Sequence, residues 1–178
     1  MMRTITVSAV SLGLLLTVGA AKAVDETYMG FQVGGLELDQ QGQEETIEPS
    51  MVVGRLGGST GDWLMFEGRV GTGLSDDTQG AGGDRVTVDV GYLVGGYGIL
   101  RANVSEMLFP YAIAGGTLID LDVTGDAGID GSETSFSYGV GFDARVSQSL
   151  GFGIEYMRYV DGGDYDLDAL SVGITARF

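Results

Sequence analysis

Alternation of apolar and polar residues, carried to the end of the chain, confines this sequence to extended strands. Leu170, Val172, Ile174, Ala176 and Phe178 share one face; Ser171, Gly173, Thr175 and Arg177 share the other. A period of two gives a strand one greasy face and one wet face. The period recurs upstream. In Thr134–Ser147, Phe136, Tyr138, Val140, Phe142, Ala144 and Val146 oppose Ser137, Gly139, Gly141, Asp143 and Arg145. In Leu150–Val160, Phe152, Ile154 and Tyr156 oppose Gly151, Gly153 and Glu155. In Trp63–Leu74, Leu64, Phe66, Val70 and Leu74 oppose Met65, Glu67 and Arg69.

Four more segments complete the set. Tyr28–Leu38 carries Met29, Phe31 and Val33 on one face, and Met51–Gly58 carries Val52 and Leu56 opposite Arg55. Val86–Ala102 has Val86, Val88, Val90, Tyr92 and Val94 on one face and Asp89 opposite. Phe109–Asp122 is read with Tyr111, Ile113, Ile119 and Leu121 outward and Ala112, Ala114, Gly116 and Asp120 inward. Leu167–Phe178 is the eighth strand. Long acidic connections (Asp39–Glu48, Ser75–Arg85, Val123–Glu133, Asp161–Asp166) alternate with short ones (Ser59–Asp62, Asn103–Leu108, Gln148-Ser149). That rhythm predicts an all-β fold, an eight-stranded antiparallel up-and-down transmembrane β-barrel, with long loops at one end and tight turns at the other.

Residue size places lipid on the apolar face. The polar face is rich in Gly and Ala, with charges at Glu37, Arg55, Glu67, Arg69, Asp89, Asp143, Arg145, Glu155 and Arg177. An eight-stranded barrel has an interior just wide enough for side chains to fill. Gly is abundant (32 of 178 residues), and after Lys22 no lysine occurs, unlike an ordinary soluble surface. Aromatic residues are expected in two girdles. Tyr28, Trp63, Phe66, Tyr97, Phe109, Tyr111, Phe152 and Phe178 would form the one near the turns; Phe136, Tyr138, Tyr156 and Tyr159 would form the other. Arg158 falls on the apolar phase beside a loop and is expected to snorkel outward. Arg at Val90 or Val140 is expected to be costly, and substitution of Thr87 or Ser137 much milder.

Residues 1–23 read as a cleaved signal peptide. Arg3 is the positive start, Ile5–Val18 the apolar stretch, and Ala21-Lys22-Ala23 the small-x-small cleavage pattern. Export through the Sec pathway is expected, leaving 24–178 as the barrel domain. Residues 1–23 carry Arg3 and Lys22 and no acid, so their removal takes the formal charge from −16 to −18. Such acidity disfavours nucleic acid as a partner, because nucleic-acid binding needs a basic face.

With signal, strand rhythm, inward charges and terminus in place, the chain resembles the small eight-stranded outer-membrane barrels of the OmpA transmembrane-domain and OmpX type, often called the porin family. The resemblance spans nearly all of the mature chain and is architectural. It implies the outer membrane of a Gram-negative bacterium, and recognition of Leu170–Phe178 by the barrel-assembly machinery. It also implies outer-membrane lipid and lipopolysaccharide as surroundings, the latter through shared divalent ions, and a monomer. No peptidoglycan-binding domain follows the barrel in this sequence, so wall anchoring of the full-length OmpA kind is not expected.

Chemistry is scarce. Neither His nor Cys occurs, so Ser–His, Asp–His and thiolate arrangements are impossible. Barrel enzymes of the outer membrane use His, so no enzyme is expected, and no catalytic, cofactor or metal residue is assigned. Glu67, Asp89, Asp143 and Glu155 share the polar face, but Arg55, Arg69, Arg145 and Arg177 can pair them into an ionic plug. Gly71-Thr-Gly73, Gly139-Val-Gly141 and Gly151-Phe-Gly153 lie within strands with no following helix, so they are not phosphate loops. Acidic loops such as Asp120, Asp122, Asp126, Asp130 and Glu133, or Asp161, Asp164, Asp166 and Asp168, suit weak divalent binding at a solvated rim. The expected role is structural or surface-interacting; a narrow porin-like channel and an adhesin acting through its acidic loops are the alternatives.

Overall fold

A computed structural model describes residues 25–40, 50–75, 77–79, 86–124, 130–161 and 165–178. The proposed signal residues 1–23 and the tips of the four long loops lie outside the described residues. Nine strand segments follow one another: β1 (Glu26–Gln40), β2 (Ser50–Thr60), β3 (Leu64–Ser75), β4 (Asp77–Gln79), β5 (Val86–Arg101), β6 (Leu108–Thr124), β7 (Asp130–Arg145), β8 (Leu150–Asp161) and β9 (Tyr165–Arg177). The short β4 prolongs β3 along the same neighbour, β5, so the wall has eight staves. Each stave is antiparallel to the next, and β1 pairs with β9 from Tyr28↔Arg177 to Gln40↔Tyr165. This pairing of first and last strands closes the sheet and removes its edges.

Tight turns gather at one end for local reasons. Gly61, the one described residue with positive φ (71°), turns the chain between β2 and β3, and its N–H donates to Asp25 Oδ2 at 2.7 Å. Ser105 Oγ accepts the Met107 and Leu108 N–H groups (3.2 and 3.0 Å), and Ser147 Oγ accepts that of Leu150 (3.0 Å). Small hydroxyls and Gly are the residues that tight turns demand.

No described helix is long and apolar enough to cross a membrane, so any crossing falls to the strands. Their outward residues make an apolar band. Phe31, Val70, Val140, Val172 and Ile174 are all exposed, between 47 and 62%. On β9 the band runs from Leu170 to Phe178, the nine residues or so that a tilted strand needs to cross hydrocarbon. Above it the pattern inverts. Leu36, Leu167 and Ala169 turn inward and are buried, while Glu37, Asp166 and Asp168 turn outward. The loop end therefore projects beyond the band with a soluble protein's pattern, apolar inside and polar outside. Glu37, expected inside, is corrected by this inversion: it is exposed and sits opposite Asp168 across the β1–β9 pair.

β6 is a second correction. Tyr111, Ile113, Thr117 and Ile119 face inward and are buried, and Ala112, Ala114, Gly116 and Leu118 face outward. The aromatic girdles change with it. Trp63, Phe66, Phe152 and Phe178 do face outward near the turns, and Phe136, Tyr138 and Tyr156 near the loops. Tyr28, Tyr97, Phe109, Tyr111 and Tyr159 are instead buried inside the barrel. Their rings fill the lumen, and the hydroxyls of Tyr28, Tyr97 and Tyr111 find buried polar partners there.

Candidate functional site

The interior is built in three tiers. Nearest the loops it is apolar: Leu36, Met51, Val53, Leu93, Ile119 and Met157 are each no more than 1% exposed. Alternation on β1, β2, β5, β6 and β8 aims these residues at one another, and burial of their side chains is the main cohesive contribution there.

The middle tier is ionic and centres on Arg69 of β3. Its Nη1 and Nη2 donate to the two carboxylate oxygens of Glu155 on β8, at 2.5 and 2.7 Å. Its Nε donates to Glu67 at 2.6 Å. The paired fork is the strong geometry for guanidinium and carboxylate. Two tyrosines complete the acids: Tyr28 donates to Glu67 at 2.6 Å, and Tyr111 to Glu155 at 2.9 Å. The Arg69 guanidinium also lies 4.9 Å from the centre of the Tyr97 ring. Arg55 approaches Glu67 at 3.9 Å and donates to Thr175 Oγ1 at 2.6 Å. A hydroxyl chain crosses β5, β6 and β7. Tyr97, Thr117 and Ser137 are linked at 2.5 and 2.6 Å, and Ser137 donates to the Tyr159 carbonyl at 2.8 Å. Ser137 is wholly buried, which removes the expectation that its substitution is mild.

Close fit depends on glycines here. A Cβ at Gly141 would overlap the Tyr111 ring, and one at Gly95 the Tyr97 ring. Beside Tyr28, Arg55, Glu67 and Tyr111 remains a cavity of about 10 Å³, roughly one water's worth of space. Glu67 and Glu155 are both held by Arg69, and Glu67 borders that cavity.

The tier nearest the turns holds Asp143, Arg101, Arg145 and Arg177. Arg101 and Arg145 lie over the Phe109 ring, at 5.1 and 4.9 Å from its centre. Of the sequence-predicted lumen charges, Arg55, Glu67, Arg69 and Glu155 are thus brought together, Asp143 borders the same small cavity from below, and Arg145 and Arg177 sit lower. The Asp89 side chain lies outside the described residues. Arg101 was missed, although it shares the inward phase of Tyr97 and Ile99. Among the described residues no three acids converge as a metal site would require. On the outer wall Arg158 is not a lone snorkelling charge. It donates to both oxygens of Asp168 at 2.8 Å and lies 3.3 Å from Asp166; Tyr156 also donates to Asp168.

The closed, lipid-banded barrel agrees with a family model for the outer membrane protein beta-barrel domain, which matches residues 8–178. This chain belongs to the outer-membrane β-barrel family. Solved structures of similar shape include Ail, the attachment invasion locus protein of Yersinia pestis. It is 14% identical, with TM-score 0.61 over 86% of this chain and 98% of that one. Neisserial surface protein A is 17% identical, with TM-score 0.61 over 85% and 97%. The N-terminal barrel of Pseudomonas aeruginosa OprF is 12% identical, with TM-score 0.53 over 84% and 97%. A sequence comparison with curated proteins gave no match. As an outer-membrane barrel, the protein turns its outward apolar band to lipid and has a general membrane or surface role.

Proposed function

We propose that this barrel is plugged by its own side chains and serves membrane integrity or surface interaction, neither conducting solutes nor catalysing a reaction. The carrying observation is the Arg69–Glu155–Glu67 cluster beneath the apolar upper tier, with space for about one water beside it. A solute would have to break a buried, doubly hydrogen-bonded ion pair to pass, and removing a partner from such a pair is costly. The test is planar-bilayer recording of the refolded mature chain. Silent bilayers alongside a compact band that slows on boiling support the plug. Discrete openings from that same compact form would replace it with the narrow-channel reading.

The rest of the biology follows from that assignment. Signal removal after Ala23, Sec export, capture of Leu170–Phe178 by the assembly machinery, a monomeric state and lipopolysaccharide contact at the rim are parts of the proposal. A surface-binding role gains support from one feature. Glu37, Asp161, Asp166 and Asp168 stand outside the barrel at its loop end with Arg158 as counter-charge, a surface suited to a basic partner. Ail has been crystallised with the heparin analogue sucrose octasulfate; the acidic rim here would repel such an anion.

A further inference from the structure

We infer that the mouth of the barrel at its tight-turn end is a binding site for an oxyanion of the phosphate class. Three of the seven arginines after residue 23, Arg101, Arg145 and Arg177, reach the lumen there from β5, β7 and β9. They share this mouth with three acids, Asp143, Glu26 and Glu106. Arg55 and Arg69 are committed to the ionic tier, and Arg158 to Asp168 on the outer wall.

Among the described residues, Arg101 Nε and Nη1, Arg145 Nε and Arg177 Nη1 are buried donors with no hydrogen-bond acceptor, a condition shared in the tier above only by Arg55 Nε, whose Nη2 is bonded to Thr175. The Arg177 side chain is only 4% exposed. Glu26 reaches its Nε at a loose 4.0 Å, and Asp143 keeps its own Oδ1 buried without a donor. Buried donors without acceptors are uncommon because each carries its full desolvation cost.

The surroundings hold these donors ready. Phe109 lies beneath both Arg101 and Arg145, at 5.1 and 4.9 Å from the ring centre, and this shared cation–π contact holds the two guanidinium groups against one ring. Gly151 makes room for the third: a Cβ there would meet Arg177 Nη1 at 3.1 Å. The β5–β6 connection folds alongside, its Met107 carbonyl accepting the Arg145 N–H at 2.8 Å. Between connection and barrel opens a vestibule of about 650 Å³ lined by Asn103, Ser105, Glu106, Phe109 and Arg145; of the three arginines only Arg145 lines it, and Arg101 is tied to it through the shared Phe109 ring contact. That volume suits a small phosphorylated molecule. Guanidinium forks match the oxygen geometry of phosphate and bind it in pairs. Glu106 in the lining opposes an anion, so binding there rests on the arginine contacts outweighing it. Inorganic phosphate and the headgroup of an anionic phospholipid carry this same chemistry.

The test is a titration of the arginine Nε–H signals of the refolded chain by NMR. One arm uses alkyl maltoside micelles with inorganic phosphate. The other uses bilayer discs with and without phosphatidylglycerol and no free phosphate. Saturable shifts at Arg101, Arg145 and Arg177, with Arg69 and Arg158 unmoved, are expected. A response in the first arm assigns a free anion; a response confined to the second assigns a lipid headgroup. Arg101→Gln with Arg145→Gln is expected to weaken binding about tenfold or more, and Arg158→Gln to leave it unchanged. No shift in either arm of the wild-type chain overturns the site. Shifts that include Arg158 equally also overturn it, because they report general charge screening.

Discussion

Replacing Arg69 by Met preserves much of the side chain's bulk and removes its charge. Arg69 makes three charge-assisted hydrogen bonds, of 2.5, 2.6 and 2.7 Å, from a side chain with no exposure. Without it Glu155 keeps only the Tyr111 hydroxyl, and Glu67 keeps Tyr28 and a distant Arg55. Removing one partner of a buried ion pair typically costs about 3–5 kcal/mol, because the abandoned charge stays buried. Arg69→Met combined with Glu155→Gln removes the abandoned charge at the fork, so the double variant should be less destabilised than the single one. The assay is urea unfolding in lipid vesicles, followed by fluorescence of Trp63. It is the single tryptophan and lies on the outer wall near the turns, 61% exposed, away from the substituted residues. A single-variant cost below about 1 kcal/mol, the level of an exposed ion pair, would refute the reasoning and imply a hydrated lumen.

Other substitutions probe other parts of the wall. Val140→Arg, in the lipid band, should cost about 2–4 kcal/mol in the same unfolding assay. Asp168→Asn, at the part-exposed outer pair with Arg158, should cost no more than about 1 kcal/mol and should matter less as salt rises. Gly141→Ala should cost about 1–3 kcal/mol by pushing the Tyr111 ring from its place, and the tyrosine's near-ultraviolet circular dichroism should change with it.

Legibility in the sequence followed how cleanly the two faces of a strand differ. β3, β7, β8 and β9 pair large apolar residues with Gly, Ser or charge, and the phases read from them stand, except that Tyr159 of β8, read as a girdle residue, points inward. β6 has apolar residues on both phases: Tyr111, Ile113 and Ile119 against Ala112, Ala114 and Leu118. Alternation cannot choose between such faces. The structure buries the larger set, because the lumen needs volume there and Glu155 takes the Tyr111 hydroxyl. Glu37 was misplaced for a different reason. It lies where β1 has left the lipid band, and the end of a band is set by neighbouring strands rather than by local composition. The inward charges Arg55, Glu67, Arg69 and Glu155 were readable as a set, since a barrel this narrow must pair what it buries. Which acid receives which guanidinium was not, because β3 and β8 lie across the lumen and their facing depends on stagger. The tyrosines that complete the ionic tier were hidden by their resemblance to girdle residues.

A direct test of the account compares neighbouring positions on one strand. The chain has no Cys, so single cysteines report without background. Ser171 and Thr175 point into the lumen and are 5 and 3% exposed, while Val172 and Ile174 point outward and are 60 and 47% exposed. In bilayers, a fluorophore on Val172→Cys or Ile174→Cys should be quenched by brominated lipid. The thiols of Ser171→Cys and Thr175→Cys should resist a water-soluble maleimide until the barrel is unfolded. Rapid aqueous labelling at Ser171→Cys and Thr175→Cys in the folded barrel would contradict the packed lumen, and absence of lipid quenching at Val172→Cys and Ile174→Cys would contradict the membrane band itself.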